Sequence, residues 1–372
     1  MKNKGICGAM IILLLLHAVD ASASSPYQAP EPVSRVKNGI TVCVHPQVEL
    51  ISVIQTIGNY PAVLGFLMAK DSSRYKTEVT EYFAPYKEHP AVKMFDRLSS
   101  RPRMLNFSAP SNLMLYTDNN LNLRKDIKPD DFVLNRAGGK DSLAVFLDLL
   151  RDFAIRSSFN TFYNEHSGYY RAIIDATTEK LGDYDYISEL EAFYGRRQKS
   201  YAIVLVSLYN FVGFGNSLLF ADDMRGLYNT MGAMKVEKGI PDFGDTAYLK
   251  YMIRHEFSHP FINPLTEKYW DYIKADSLRY ESIPEVARKK VCGDWQECIN
   301  EFVIRAVTTH IAYNESEETG KWAYEKEKVS GVSCLEDLLE KVAFFQANRK
   351  TYPTFESYYY KMLDVFKEEI IE

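Results

Sequence analysis

The chain has 372 residues, with 44 Lys and Arg against 49 Asp and Glu, a formal net charge of −5, and 46% of its residues hydrophobic. That apolar supply excludes a disordered chain, and mild acidity without long like-charge blocks argues against nucleic acid or another polyanion as partner. The length fits one large domain or two smaller ones.

Lys2 and Lys4, the apolar run 6–19 and the small-residue site Ala21-Ser22-Ala23 read as an export leader over residues 1–23, with the mature chain expected to begin at Ser24 in a secreted or periplasmic setting. The run is too short for a lasting membrane span, and no later stretch suits one. Removing Lys2, Lys4 and Asp20 takes away a net +1 and leaves −6. Four cysteines remain: Cys43, Cys292, Cys298 and Cys334. In an oxidising compartment the near pair Cys292 and Cys298 is the first candidate bridge, with buried free thiols the alternative; no C-x-x-C spacing suggests a zinc–thiolate site.

Residues 24–37, rich in Pro and Ser, read as a flexible tether. A mainly helical region is expected over 38–195, and a catalytic region over 196–372. Residues 39–44 alternate as a strand, and 48–57 and 75–97 carry apolar residues at helical spacing, interrupted at Asn59-Tyr60-Pro61 and His89-Pro90. His89, before a proline, reads as a surface residue. Residues 100–138 are rich in Pro, Asn, Asp and Gly and predict loops with one short strand at 113–116. Helical patterns follow over 141–157 and 159–181, where His166 reads as part of a solvated face. Residues 201–208 are the strongest strand and 216–220 a weaker one. A strand just upstream of the motif described next could hold an extended peptide by edge pairing; an interior strand is the alternative.

The motif is His255-Glu256-Phe257-Ser258-His259. Asp245 and Thr246 offer N-cap oxygens, and Tyr248, Leu249, Met252, Ile253 and Phe257 give the spacing of a buried helix. Histidines four apart on a helix lean toward one point, which zinc can occupy at about 2.0–2.1 Å from each ring nitrogen. Glu256 is placed to act as general base on a zinc-activated water. Two satisfied histidines on a buried helix would be the bland reading, but a buried Glu between them is costly without a cation.

A third protein ligand is needed. Ile262 and Leu265 stand where a three-histidine pattern wants Gly and His, so a later carboxylate is expected, from among Glu267, Asp271, Asp276, Glu281, Glu285, Glu297 and Glu301. Asp294 and Glu297 read as a capping box, which gives Glu297 a structural task. Glu301 is the preferred ligand, with Arg305 one turn on to orient it and a solvated ion pair as the alternative; Glu281 and Glu285 are the next choices. His310 falls on the opposite face and reads as a core histidine. Arg305, Tyr269, Tyr280 and Tyr313 are all eligible to stabilise an oxyanion.

The stretch from His255 to Pro264, followed by Asn300-Glu301 and Arg305-Ala306, resembles a family of secreted gluzincin-like zinc metallopeptidases of gut bacteria, the HExxH-plus-Glu type. The N-terminal strand–helix segment and the stretch from Asp152-Phe153-Ala154 to Phe162-Tyr163 resemble it too, so the likeness spans most of the mature chain. It implies an HExxH-plus-Glu metallopeptidase fold and names no substrate. Two departures stand out: Pro260 follows His259 directly and should end or kink the helix there, and Glu301 lies 42 residues beyond His259, where roughly 20 is familiar.

The expected fold is α+β and predominantly helical, with a small sheet and an active-site helix in a zincin-like region. The expected function is zinc-dependent hydrolysis of a peptide or protein substrate. The rival is a non-catalytic secreted protein that binds carbohydrate or a host surface and carries a structural zinc.

Overall fold

Ser200–Asn210 (β3) is a run of Val, Ile, Leu and Tyr that can only sit where both faces are covered, and it lies in the middle of the sheet. Around it are β1 (Val33–Lys37), β2 (Ile40–Val44), β4 (Gly213–Leu219) and β5 (Arg225–Ala233), in the order β1-β2-β3-β5-β4. β2, β3 and β5 are parallel, while β1 and β4 run antiparallel along the two margins. A separate hairpin, β6 (Lys235–Glu237) and β7 (Ile240–Asp242), leads into the motif helix. The computed structural model describes residues 27–70, 73–101, 104–128 and 131–367; the expected leader lies outside them.

Helices pack around this sheet. Before β3 come α1 (Pro46–Ile57), α2 (Tyr60–Leu64), α3 (Arg74–Phe83), α4 (Pro90–Ser99), α5 (Ala109–Leu115), α6 (Asp131–Arg136), α7 (Lys140–Arg156), α8 (Phe159–Glu165), α9 (Ser167–Lys180) and α10 (Tyr186–Tyr194). After β7 come α11 (Thr246–Lys268), α12 (Trp270–Ile273), α13 (Glu285–Lys290), α14 (Trp295–Glu315), α15 (Glu317–Ser330), α16 (Leu335–Ala347) and α17 (Phe355–Met362). The fold is therefore α+β and predominantly helical, with one small mixed sheet. One continuous core runs from Tyr27 to Phe366, and no helix of the described residues is long and apolar enough to cross a membrane.

Several expectations need correction. The segment read as a tether is partly sheet: Val33–Lys37 pairs with β2, Tyr27 is buried, and the Ala29 amide donates to the Asn119 carbonyl. Residues 113–116 belong to a helix and its C-cap, because Pro110 starts the turn and the short apolar run is buried all round. His89 is no surface residue: Nε2 meets Asp152 Oδ2 at 3.0 Å and Nδ1 accepts from the Ala91 amide, capping α4. His166 likewise sits at the break between α8 and α9, bonded through Nε2 to Glu78 (3.0 Å) and packed on Phe162. The strand read as strongest is interior; β4 is the edge.

Candidate metal centre

Asp245 caps α11 by accepting from the Tyr248 amide at 2.8 Å, and the helix then carries the motif across the sheet between β4, β5 and α14. It does not stop at His259. Pro260 and Pro264 both lie inside it, and it continues to Lys268. A helix-interior proline costs about 3 kcal/mol in isolation, but Pro260, Phe261, Ile262 and Leu265 are all buried here, and that burial holds the segment. Pro260 has no N–H to offer the Glu256 carbonyl. β4 lies against that carbonyl: a Cβ on Gly215 would come within 2.3 Å of it, and one on Gly213 within 2.5 Å of Glu256 Oε1. Two glycines of the edge strand thus allow its backbone to run along the motif.

Glu301 arrives from α14. Asp294 caps that helix by accepting from the Glu297 amide (2.9 Å), and Glu297 Oε2 accepts from the Gly293 amide, so the capping residues hold each end of the first turn. The Cys292–Cys298 disulfide closes the same turn, while Cys43 and Cys334 are free and buried. The chain between the motif and Glu301 is spent on α12, a 3-10 stretch over Lys274–Ser282, and α13, which accounts for the long spacing. Glu281 and Glu285 lie on that excursion in exposed pairs with Arg288 and Lys289.

His255, His259 and Glu301 come together, with one donor atom from each lying within 4.8 Å of the others. His255 Nε2 is 3.5 Å from Glu301 Oε2, and His259 Nε2 is 3.5 Å from Glu301 Oε1. Donors about 2.0–2.1 Å from a tetrahedral ion stand about 3.3–3.4 Å apart, so the two His–Glu separations are ones that a shared metal ion could span. Glu256 Oε2 lies 3.8 Å from His259 Nε2, on the same side. Burial would raise the Glu301 pKa, but His255, Arg305 and His259 together hold this carboxyl well below the usual range, and it stands ionised as a ligand should.

What orients these groups was only partly foreseen. His259 Nδ1 faces Asn263 Oδ1 at 3.3 Å, one turn along the helix; with the proton on Nδ1, the Nε2 lone pair is the one turned toward Glu301 and free for a cation. His255 Nδ1 is buried with no hydrogen-bond partner among the described residues; its ring is held by stacking on Tyr251, centroids 5.7 Å apart. Arg305 Nε donates to Glu301 Oε2 at 3.1 Å, and its Nη1 donates to Glu327 on α15. Glu327 also accepts from the Tyr251 hydroxyl at 2.8 Å. Arg305 therefore acts on the centre through Glu301. Of the tyrosines eligible as oxyanion donors, Tyr280 directs its hydroxyl to the Cys292 carbonyl at 3.5 Å, while the Tyr269 ring packs on Tyr359 and the Tyr313 ring lies against Gly320. His310 sits half-buried near Phe193, as a core histidine would.

No curated protein and no solved structure matches the chain. A family model does match, over residues 40–365, a span that contains strands β2 to β5 of the sheet, the motif helix and Glu301, and the chain belongs to that family, the one described as Domain of unknown function (DUF4932).

Proposed function

We propose that this protein is an exported zinc metallopeptidase of the gluzincin type, hydrolysing peptide bonds in a peptide or protein substrate. The observation that carries the reading is the convergence of His255, His259 and Glu301 with Glu256 beside them. These three residues would hold zinc and leave a coordination position open, as catalytic sites do and closed structural sites do not. The ion would supply a Lewis acid that acidifies a bound water and polarises a carbonyl. Glu256 takes the proton from the attacking water and delivers it to the leaving amine. β4 offers an extended substrate the backbone of Gly213–Leu218, an edge to which no other strand pairs among the described residues. At Leu219 and Phe220 that edge is already taken by residues 126–128.

The test pairs metal analysis with a cleavage screen of the mature chain. About one zinc per chain is expected, with cleavage of casein or a peptide library. Glu256→Gln should keep the zinc and lose about 10²-fold or more in turnover. Equal cleavage by the variant and the wild type overturns the mechanism.

A further inference from the structure

We infer that Phe211, Tyr248 and Met252 form an apolar subsite that receives a bulky apolar side chain of the substrate next to the bond being cut. The inference rests on the metallopeptidase reading and adds to it a substrate class. Phe211 is 57% exposed and adopts a left-handed backbone, φ 40°, which a bulky residue occupies only at a cost. Both features are unfavourable in the free protein. They are held in place by hydrogen bonds on either side, from the Phe211 amide to the Ala233 carbonyl (2.8 Å) and from the Gly232 amide to the Val212 carbonyl (2.9 Å).

The ring so displayed lies over Tyr248, with centroids 6.0 Å apart and planes 26° from parallel. Tyr248, Met252 and Glu256 follow one another at four-residue steps along α11, so they share one helix face. Two residues after Phe211, Gly213 packs against Met252 and the Glu256 carboxylate. An aromatic platform thus adjoins the general base at the point where the edge strand begins. A substrate strand paired to β4 would carry a side chain past it. A second exposed aromatic pair is tied to the residue before Phe211: the Asn210 side chain donates to the Phe66 carbonyl at 3.2 Å, and the exposed rings of Phe66 and Phe107 stand 6.0 Å apart. Exposed rings grouped in this way are what an apolar ligand uses, whereas scattered single residues carry no such meaning.

The experiment compares the mature wild-type chain with Phe211→Asn and Phe211→Leu on a peptide library varied at the residues flanking the cleaved bond. Asn suits a left-handed backbone, so Phe211→Asn should melt at or above the wild-type temperature and bind the same amount of zinc. The wild type should cut beside Phe, Leu or Tyr with kcat/KM roughly 10-fold or more above Ala. In Phe211→Asn that advantage should fall by roughly 10-fold, with Ala-flanked peptides changed by no more than about twofold, and Phe211→Leu should regain most of it. A wild type that cuts peptides without favouring apolar residues, or a Phe211→Asn chain that keeps the preference, overturns the subsite alone. A wild type that cuts no peptide overturns the metallopeptidase reading and the subsite with it.

Discussion

Glu327 has no exposure to solvent, and its carboxylate accepts a hydrogen bond from the same Arg305 guanidinium that donates to Glu301. A buried carboxylate is tolerated only when its partners are in place, and here they are Arg305 and the Tyr251 hydroxyl. The chain Glu327–Arg305–Glu301 fixes the proposed third ligand from behind. Glu327→Gln, which keeps the shape and removes the charge, should lower zinc affinity by about 10- to 100-fold, read by competition against a chromogenic chelator. If Glu327 only held α15 to α14, the variant would lose melting temperature and leave zinc affinity unchanged.

Gly215 makes a sharper steric demand. A Cβ there would lie 2.3 Å from the Glu256 carbonyl oxygen and 3.0 Å from His259 Cδ2, and a backbone atom on a packed helix cannot swing away. Gly215→Ala should push β4 off the motif, destabilise the fold by about 1–3 kcal/mol and reduce activity. Gly168, in α9 with open space where its Cβ would be, is the control. Gly168→Ala should be neutral or stabilising by up to about 1 kcal/mol in the same thermal melts.

Charge balance separates a catalytic from a structural ion. Glu301 and Glu327 are matched by Arg305 and Lys326, whose charges act on one another, so these four groups balance without an ion and Glu256 is the acid left over beside them. The chelator-stripped protein should keep a cooperative melting transition, lowered by no more than ordinary binding linkage, while losing peptide cleavage. Loss of the transition on stripping would point to a structural zinc and to the binding-protein alternative.

The motif helix was legible because its information is local: Asp245 as cap, apolar residues at helical spacing, and two histidines one turn apart. Glu301 could be nominated because Arg305 follows it at four residues and because Asp294 and Glu297 mark the helix start. The partners that come from distant segments left no such trace. Glu327 sits in an alternating run with Lys326 and Lys328 that reads as a solvated face, and only the packing of α15 on α14 buries it. His89 and His166 were misread for the same reason, since Asp152 and Glu78 are remote in sequence. β5 went unseen because Gly226, Asn229 and Gly232 interrupt its alternation, and its place between β3 and β4 supplies the order that the residues alone do not. Pro260 misled in the opposite direction: the local rule against proline was sound, and tertiary burial outweighed it.

A buried acid far from the centre sets the stability of the fold against pH. Glu49 on α1 is almost fully buried and accepts a hydrogen bond from the Tyr75 hydroxyl, which also meets Tyr170 at 2.7 Å. Burial pushes its pKa from the ordinary 4.5 up to about 7, with the Tyr75 bond pulling the other way. The folded state therefore binds this proton more tightly than the unfolded chain does. The contribution to stability is complete below about pH 4.5 and is lost as pH rises through about 7, because the unfolded chain ionises first. Glu49→Gln removes the titration. Relative to the wild type it should be more stable at pH 8 by on the order of 3 kcal/mol, with the difference shrinking toward pH 4.5. Denaturant unfolding of both chains across that range checks it, and a difference independent of pH would show that Glu49 has the same pKa in the folded and the unfolded chain.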